Sequence, residues 1–185
     1  MTDRSLQSEI DRRILDARAR LLAVPPQQET DSGETLHLLA FFLGGERYGV
    51  NIDLVREALP LDRQNWTRVP CSPSFIVGAV NIRGRIYSLM DISRFFGLAA
   101  RPWPENPHAV LVNNETGRAE GMELCLLADT LPEIVDIMLH EVQSAGAIVS
   151  NQANEFIHGI TQEMLIILDI DRLLSDPRII IHEEV

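Results

Sequence analysis

The sequence contains no lysine, and each of its 16 basic residues is an arginine. Without lysine, neither Schiff-base catalysis nor a phosphate loop with its Gly-Lys pair is available. The chain has only two cysteines, Cys71 and Cys125, which lie far apart and outside any Cys-x-x-Cys motif. This pattern predicts two reduced thiols and argues against a disulfide framework or a cysteine zinc site.

Long apolar runs are also missing, and the N-terminus has no basic stretch followed by an apolar one. We therefore expect no signal peptide, no direct membrane insertion and a cytoplasmic location. Positive charge is scarce late in the chain: residues 1–104 hold 13 Arg and 12 acids (+1), and residues 105–185 hold 3 Arg and 15 acids (−12), together −11. This balance disfavours nucleic-acid binding, which needs clustered positive charge.

The five histidines are scattered, and none has the spacing to another histidine or to cysteine that metal sites use. Dinucleotide-binding and serine-hydrolase motifs do not occur either. The sequence thus predicts neither a metal nor a cofactor, and it favours a binding module over an enzyme.

The N-terminal segment has helical periodicity. Apolar residues recur at steps of three or four over residues 3–24, and Pro25-Pro26 ends the pattern. We predict an amphipathic helix and a polar linker as one unit, residues 1–35. The apolar stripe needs a cover: packing on the protein's own barrels is one alternative, and docking on a receptor, on a kinase or on another copy of the chain is the other.

From Leu36 the periodicity changes to that of strands. Two hairpins are predicted, one turning at Gly44-Gly45 and one that joins residues 76–82 to residues 85–90 through Arg83-Gly84. A short helix follows Asp91. A helical turn is expected over residues 53–57, and shorter strands over residues 65–69, 109–112, 122–127, 133–138 and 148–149.

One pattern occurs twice, Phe-Ile-x-Gly followed by Asp-Ile-x-Arg. The first copy begins at Phe75 and reaches Asp91, and the second begins at Phe156 and reaches Asp169. Between the last Gly and the Asp lie 12 residues in the first copy and 9 in the second. We attribute the difference to a shorter second turn, at residues 161–163, and predict two similar β units related by pseudo-symmetry.

Two other functions are weighed against the binding module. Asp91 and Asp169 would form a shared-proton dyad if the two halves built a hydrolase. Each Asp, however, precedes a helical pattern without the small residues of such sites, so helix capping explains both and no enzyme is predicted. A barrel that binds a small ligand is the other alternative, and it would need a sizeable apolar cavity.

Three stretches of the chain resemble the CheW-like domain of bacterial chemotaxis proteins. They are Phe41-x-Leu43-Gly44-x-Glu46-x-Tyr48-Gly49, then Phe75-Ile76-x-Gly78-x-x-Asn81-x-Arg83-Gly84 with Asp91, and finally Phe156-Ile157-x-Gly159-Ile160 with residues 167–174. The Asn-x-Arg-Gly hairpin is the most specific part. The resemblance covers residues 36–176 and leaves residues 177–185, with Ile179-Ile180-Ile181, as a tail that we expect to pack as an added strand.

The resemblance implies a mostly β fold of two pseudo-symmetric five-stranded β-barrel subdomains with short helices. It also implies a non-catalytic signalling adaptor that couples the cytoplasmic tips of methyl-accepting chemoreceptors to a CheA-type histidine kinase, in chemotaxis or in a related surface-sensing or pilus-control pathway. The partner-binding residues that it implies are Val55, Glu57, Gly78, Asn81, Arg83 and Gly84. On the residues alone, Arg83 at a turn tip is equally consistent with a solvated side chain and with an interface anchor.

Overall fold

The computed structural model describes residues 34–62, 64–99, 101–114, 120–145 and 153–179, which belong to one compact unit. The helix predicted for residues 3–24, the strand predicted for residues 148–149 and the end of the tail lie outside the described residues. Within them, no helix is long and apolar enough to cross a membrane.

Strands dominate the described chain. They are β1 (Thr35–Leu43), β2 (Glu46–Asn51), β3 (Val55–Pro60), β4 (Trp66–Thr67), β5 (Ile76–Ile82), β6 (Arg85–Met90), β7 (His108–Asn113), β8 (Glu123–Ala128), β9 (Glu133–Met138), β10 (Ile157–Ile160) and β11 (Leu165–Leu168). The α-helices are α1 (Ile92–Phe95) and α2 (Ile170–Leu174), and single 3-10 turns occupy Ile52–Leu54, Leu139–Glu141 and Asn154–Phe156.

The strands form two curled sheets. Sheet A has five strands in the order β10-β11-β2-β1-β9, and sheet B has six in the order β3-β7-β8-β6-β5-β4, the last only two residues long. Gln143, which follows β9, pairs with Ile160 in β10 and so draws the two ends of sheet A together. Two curled sheets with few helices confirm the predicted fold class.

Strand β1 shows why the sequence is apolar on both of its faces. Leu39, Phe41 and Leu43 enter a core shared with residues of sheet B, whereas Leu38 and Ala40 point to the opposite side and pack inside sheet A. Because successive side chains of a strand point to opposite faces, a strand between two cores must be apolar at every position.

The predicted duplication is visible in the hairpins β5–β6 and β10–β11. Each first strand carries a bulge before its glycine, between Ile76 and Gly78 in one copy and between Ile157 and Gly159 in the other. Each second strand also pairs in parallel with a strand from elsewhere, β6 with β8 and β11 with β2. The two copies therefore share long-range pairing as well as local sequence.

The prediction of a shorter second turn is wrong. Arg83 and Gly84 alone separate the paired residues Ile82 and Arg85, whereas the second turn runs from Thr161 to Leu165, whose backbone groups hydrogen-bond at 3.1 Å. The shorter spacing comes from the strands, which have seven and six residues in the first copy and four each in the second.

Two smaller predictions also need correction. The helical turn expected over residues 53–57 is a 3-10 turn at Ile52–Leu54, and the chain is already extended at Val55. Pairing of β3 with β7 decides this, since a short segment adopts the conformation that its tertiary partner stabilises. In the tail, Ile179 is buried but lies in a turn after α2 rather than in an added strand.

Candidate functional site

The β5–β6 turn holds an arginine at its tip. Arg83 and Gly84 both have positive φ, 52° and 84°, which is the backbone of a type I′ turn and matches the twist of the strands that it joins. The Asn81 side-chain oxygen accepts a hydrogen bond from the Gly84 backbone N–H at 2.9 Å. Asn81 and Gly84 therefore shape the turn, and Arg83 occupies a position where a non-glycine residue is strained.

Glu57 on β3 reaches this tip. An Arg83 guanidinium nitrogen lies 3.2 Å from a Glu57 carboxylate oxygen, and the two side chains are 82% and 30% exposed. A pair this open contributes at most about 1 kcal/mol to folding. Stability therefore does not explain why a strained arginine occupies the tip, and its donors stay available to a partner. Val55, on the same strand, is half-buried and packs against the shared core.

Gly78 lies apart from that pair. It is buried, and an added Cβ would overlap the indole of Trp66 and the backbone carbonyl of Thr67 on β4. The structure therefore gives Gly78 a packing role, and the surface above it is made by Trp66. Of the predicted residues, the fold brings together Glu57 and the Asn81–Gly84 turn, while Gly78 is covered.

Three charged residues next to the tip were missed by the sequence analysis. Glu123 at the start of β8 forms ion pairs with Arg56 of β3 and with Arg85, the residue after the turn. Together with Glu57 and Arg83 they make a polar surface across β3, β8 and β6. The only sequence signal for this surface was Glu123, a charged residue at the start of the apolar strand β8. A single residue is too weak a signal to predict a surface.

A second exposed feature, the β9 apolar patch, consists of Leu131 and Ile134. Leu131, in the loop before β9, is 74% exposed, and Ile134 of β9, which lies opposite Leu39 of β1, is 65% exposed. Large apolar side chains that are mostly exposed and lie close together along the chain are typical of contact surfaces. Sequence reasoning missed the patch because an isoleucine in a strand is normally buried.

The aspartates proposed as a dyad cap two separate helices. Asp91 accepts hydrogen bonds from the backbone N–H groups of Ser93 and Arg94 at 3.0 and 3.4 Å, and Asp169 accepts one from Arg172 at 3.1 Å. A shared proton requires two carboxylates in contact, so the dyad hypothesis is wrong.

The remaining chemical alternatives gain no support. Burial raises the pKa of the Cys125 thiol to about 12, which keeps it protonated and unreactive at neutral pH. The small-ligand hypothesis needed an apolar cavity within a barrel, but the inner positions of sheet A are filled by Leu38, Ala40, Leu165 and Ile167. Among the described residues, no cluster of His, Cys, Asp or Glu could hold a metal ion.

Several known proteins resemble this chain in sequence. The family model of the CheW-like domain matches residues 37–178. The chemotaxis protein CheW of Klebsiella aerogenes is 30% identical over 159 residues, which are 83% of this chain and 92% of that protein. Protein PilI of Pseudomonas aeruginosa is 28% identical over 102 residues, 54% of this chain and 55% of that protein.

Among solved structures, the scaffolding protein TtCheW from Thermoanaerobacter tengcongensis superposes with a TM-score of 0.60 at 25% identity, covering 74% of this chain and 90% of that one. The resemblance expected from the hairpin motifs is thereby confirmed. With a family model that matches most of its length and a relative aligned almost end to end, the chain belongs to the CheW-like domain family.

Proposed function

We propose that this protein is a non-catalytic signalling adaptor that couples chemoreceptors to a CheA-type histidine kinase. Family membership supports the general role, and the similarity to PilI supports a chemotaxis-like pathway of pilus control as well as chemotaxis itself. Its place of action is then the cytoplasm, at the membrane-associated receptor arrays where the receptor tips lie.

The observation that carries the proposal is the Arg83–Glu57 pair. Arg83 has a strained backbone and an exposed guanidinium, and its ion pair contributes little to stability. Arginine is enriched in binding hot spots, because its planar fork of donors makes several directed hydrogen bonds at once. We propose that Val55, Glu57 and the Asn81–Gly84 turn form one partner-binding surface, in which Gly78 acts by supporting Trp66.

A coupling protein needs a contact for each of its partners. The β9 apolar patch belongs to the other sheet, and its exposed leucine and isoleucine suit a desolvated contact better than the polar Arg83 surface does. We propose that the Arg83 surface and the β9 apolar patch engage different partners, so that a change in one leaves binding through the other intact.

The test is receptor-dependent control of kinase activity in a reconstituted array, with pull-downs of a CheA-type regulatory domain and of receptor tips. Arg83→Glu should abolish receptor control with an almost unchanged thermal melt, because only a surface ion pair is lost. Met164→Glu is the matched control: Met164 is exposed and has a φ of 61° in the turn of the second copy.

A charge swap separates partner binding from structure. In Glu57→Arg/Arg83→Glu the ion pair is kept in reversed order, so a purely structural role predicts full recovery of kinase control. We expect no recovery, since the partner would then meet the wrong charge. Failure of the unmodified protein to bind either receptor tips or the kinase domain would refute the adaptor function altogether.

A further inference from the structure

An aromatic groove lies at the β4 edge of sheet B and includes Trp66, the residue that covers Gly78. Trp66 of β4 and Trp103, in the segment between α1 and β7, stack with ring centroids 4.4 Å apart. Leu61, Pro104 and Pro107 complete the apolar lining, and the cavity measures about 420 Å³. The two residues are the only tryptophans of the chain.

The groove exposes more aromatic surface than folding alone explains. Trp103 is 40% exposed, although its ring packs on Trp66, and Val69 nearby on the chain is also exposed. Tryptophan is the residue type most enriched in binding hot spots, because one side chain removes a large apolar area from water. Stacking fixes Trp103 before any partner arrives, which lowers the entropy lost on binding.

Two charged residues flank the tryptophans and have no ion-pair partner among the residues that the structure describes. Arg68 and Glu105 line the same groove, and neither forms a salt bridge within the described residues. Every other arginine in that part of the chain pairs with a carboxylate. The side chain of Asp62, also in the groove, accepts hydrogen bonds from the backbone N–H groups of Gln64 and Asn65 at 2.7 and 3.0 Å.

The opposite charges of Arg68 and Glu105 indicate which kind of partner fits the groove. A partner surface of a single charge sign would attract one of the two unpaired side chains and repel the other. A second copy carries both charges, and in a dimer whose two-fold axis passes beside Trp103, Arg68 of each copy would face Glu105 of the other copy. We propose that the tryptophan groove is a self-association surface through which two copies of this chain form a symmetric dimer.

The dimer goes beyond the adaptor function and does not depend on it. Each copy would keep its own Arg83 surface, so the assembly would present two partner sites, and linked sites bind a partner array more tightly than single ones.

The test is sedimentation velocity of the full chain over a concentration series. We expect a reversible monomer–dimer equilibrium. Tryptophan emission should shift to shorter wavelength as the dimer forms, because both tryptophans of the chain lie in the groove. Trp103→Ser should weaken the dimer by about 30-fold or more, the size of a hot-spot loss, without changing the circular-dichroism spectrum.

Charge reversal tests the two-fold geometry. Arg68→Glu and Glu105→Arg should each weaken the dimer, whereas the double variant Arg68→Glu/Glu105→Arg should restore it. An equimolar mixture of the two single variants should form a heterodimer, because one copy then supplies both acids and the other both bases. Glu163→Arg, an exposed residue in the turn of the second copy, is the control for net charge and should leave the dimer unchanged.

Several results would overturn the proposal. A protein that stays monomeric at every concentration, or a dimer that persists in Trp103→Ser, excludes the groove as a self-association surface. An emission shift that requires added kinase domain or receptor tips assigns the groove to that partner instead. In contrast, we expect Arg83→Glu to lose kinase control while its dimer stays intact, which would show that the tryptophan groove and the Arg83 surface act independently.

Discussion

The two copies of the repeated motif share one backbone hydrogen bond and one ion pair at the start of their helices, and they differ in what surrounds the capping aspartate. The backbone N–H of Asp91 donates to Phe75 and that of Asp169 donates to Phe156, each at 2.8 Å. In each copy the arginine three residues later pairs with the capping aspartate, at 3.3 Å for Arg94 and 3.2 Å for Arg172.

Burial and turn chemistry separate the copies. The Asp91 side chain is 2% exposed and has a second arginine nearby, Arg101, at 3.8 Å, whereas that of Asp169 is 26% exposed. Arg101 also contacts Asp129 at 2.7 Å, and Asp129 accepts a hydrogen bond from the backbone N–H of Gly44 at the β1–β2 turn. The first copy thus links the two sheets and carries the Arg83 tip, and the second serves as its structural counterpart.

The largest difference should appear on removal of the capping aspartates. Asp91→Ala removes the buried carboxylate of Arg94, while Arg101 keeps Asp129, and it should cost about 3 kcal/mol of the free energy of unfolding. Asp169→Ala removes a more exposed cap and should cost about 1 kcal/mol. Urea unfolding followed by circular dichroism measures both, and equal losses would mean that the Arg101 network does not stabilise the fold.

Alanine substitutions at the two covered glycines, Gly78 and Gly159, should lower the free energy of unfolding by similar amounts but disturb different parts of the fold. An added Cβ on Gly78 overlaps Trp66 and Thr67, and one on Gly159 overlaps Val142 and comes within 2.9 Å of the Gln143 carbonyl. Alanine at either site should cost about 1–3 kcal/mol through overpacking. Only Gly78→Ala should also change the tryptophan emission of the folded protein, so an unchanged spectrum would contradict the packing of Trp66 on Gly78.

The strained turn residues allow a sharper comparison of function. Arg83 and Met164 both have left-handed backbones, which asparagine tolerates better than other L-residues. Met164→Asn should raise the free energy of unfolding by about 1 kcal/mol, and Arg83→Asn by less, because it also loses the ion pair with Glu57. Only Arg83→Asn should abolish receptor control of the kinase, and loss of control in both variants would implicate turn flexibility rather than the guanidinium.

The smallest effect concerns the pair that closes the second copy. Hydrogen bonds from Arg178 hold the pKa of Asp176 below its ordinary value of 3.8, and the Arg178 guanidinium lies over the Phe95 ring, 4.1 Å from its centroid. A lowered pKa in the folded state stabilises the protein above pH 3.8, and that contribution is lost as the pH falls through the lowered value.

Asp176→Asn should therefore be less stable than the unmodified protein at neutral pH, and the difference should shrink below pH 3.8. Urea unfolding at both pH values measures this. A difference that stays constant with pH would show that Asp176 acts through shape rather than through its charge.

How far the sequence predicts this protein depends on the distance over which each contact acts. The hairpins at Gly44-Gly45 and Arg83-Gly84, the caps at Asp91 and Asp169 and the duplication follow from alternation, turn residues and capping patterns within a few neighbouring positions. The helical turn predicted over residues 53–57 and the short turn predicted at residues 161–163 were both wrong. Pairing between strands that are distant along the chain decides the conformation there.

The sequence by itself determined the mostly β class, the two copies and the Asn-x-Arg-Gly turn, because turn and strand chemistry is local. Only the tertiary structure decided that Glu57 meets Arg83, that Gly78 lies beneath Trp66, and that Trp66 stacks on Trp103 with Arg68 and Glu105 beside them. These residues are distant along the chain, and the curl of sheet B and the course of its loops bring them together, which no local pattern records.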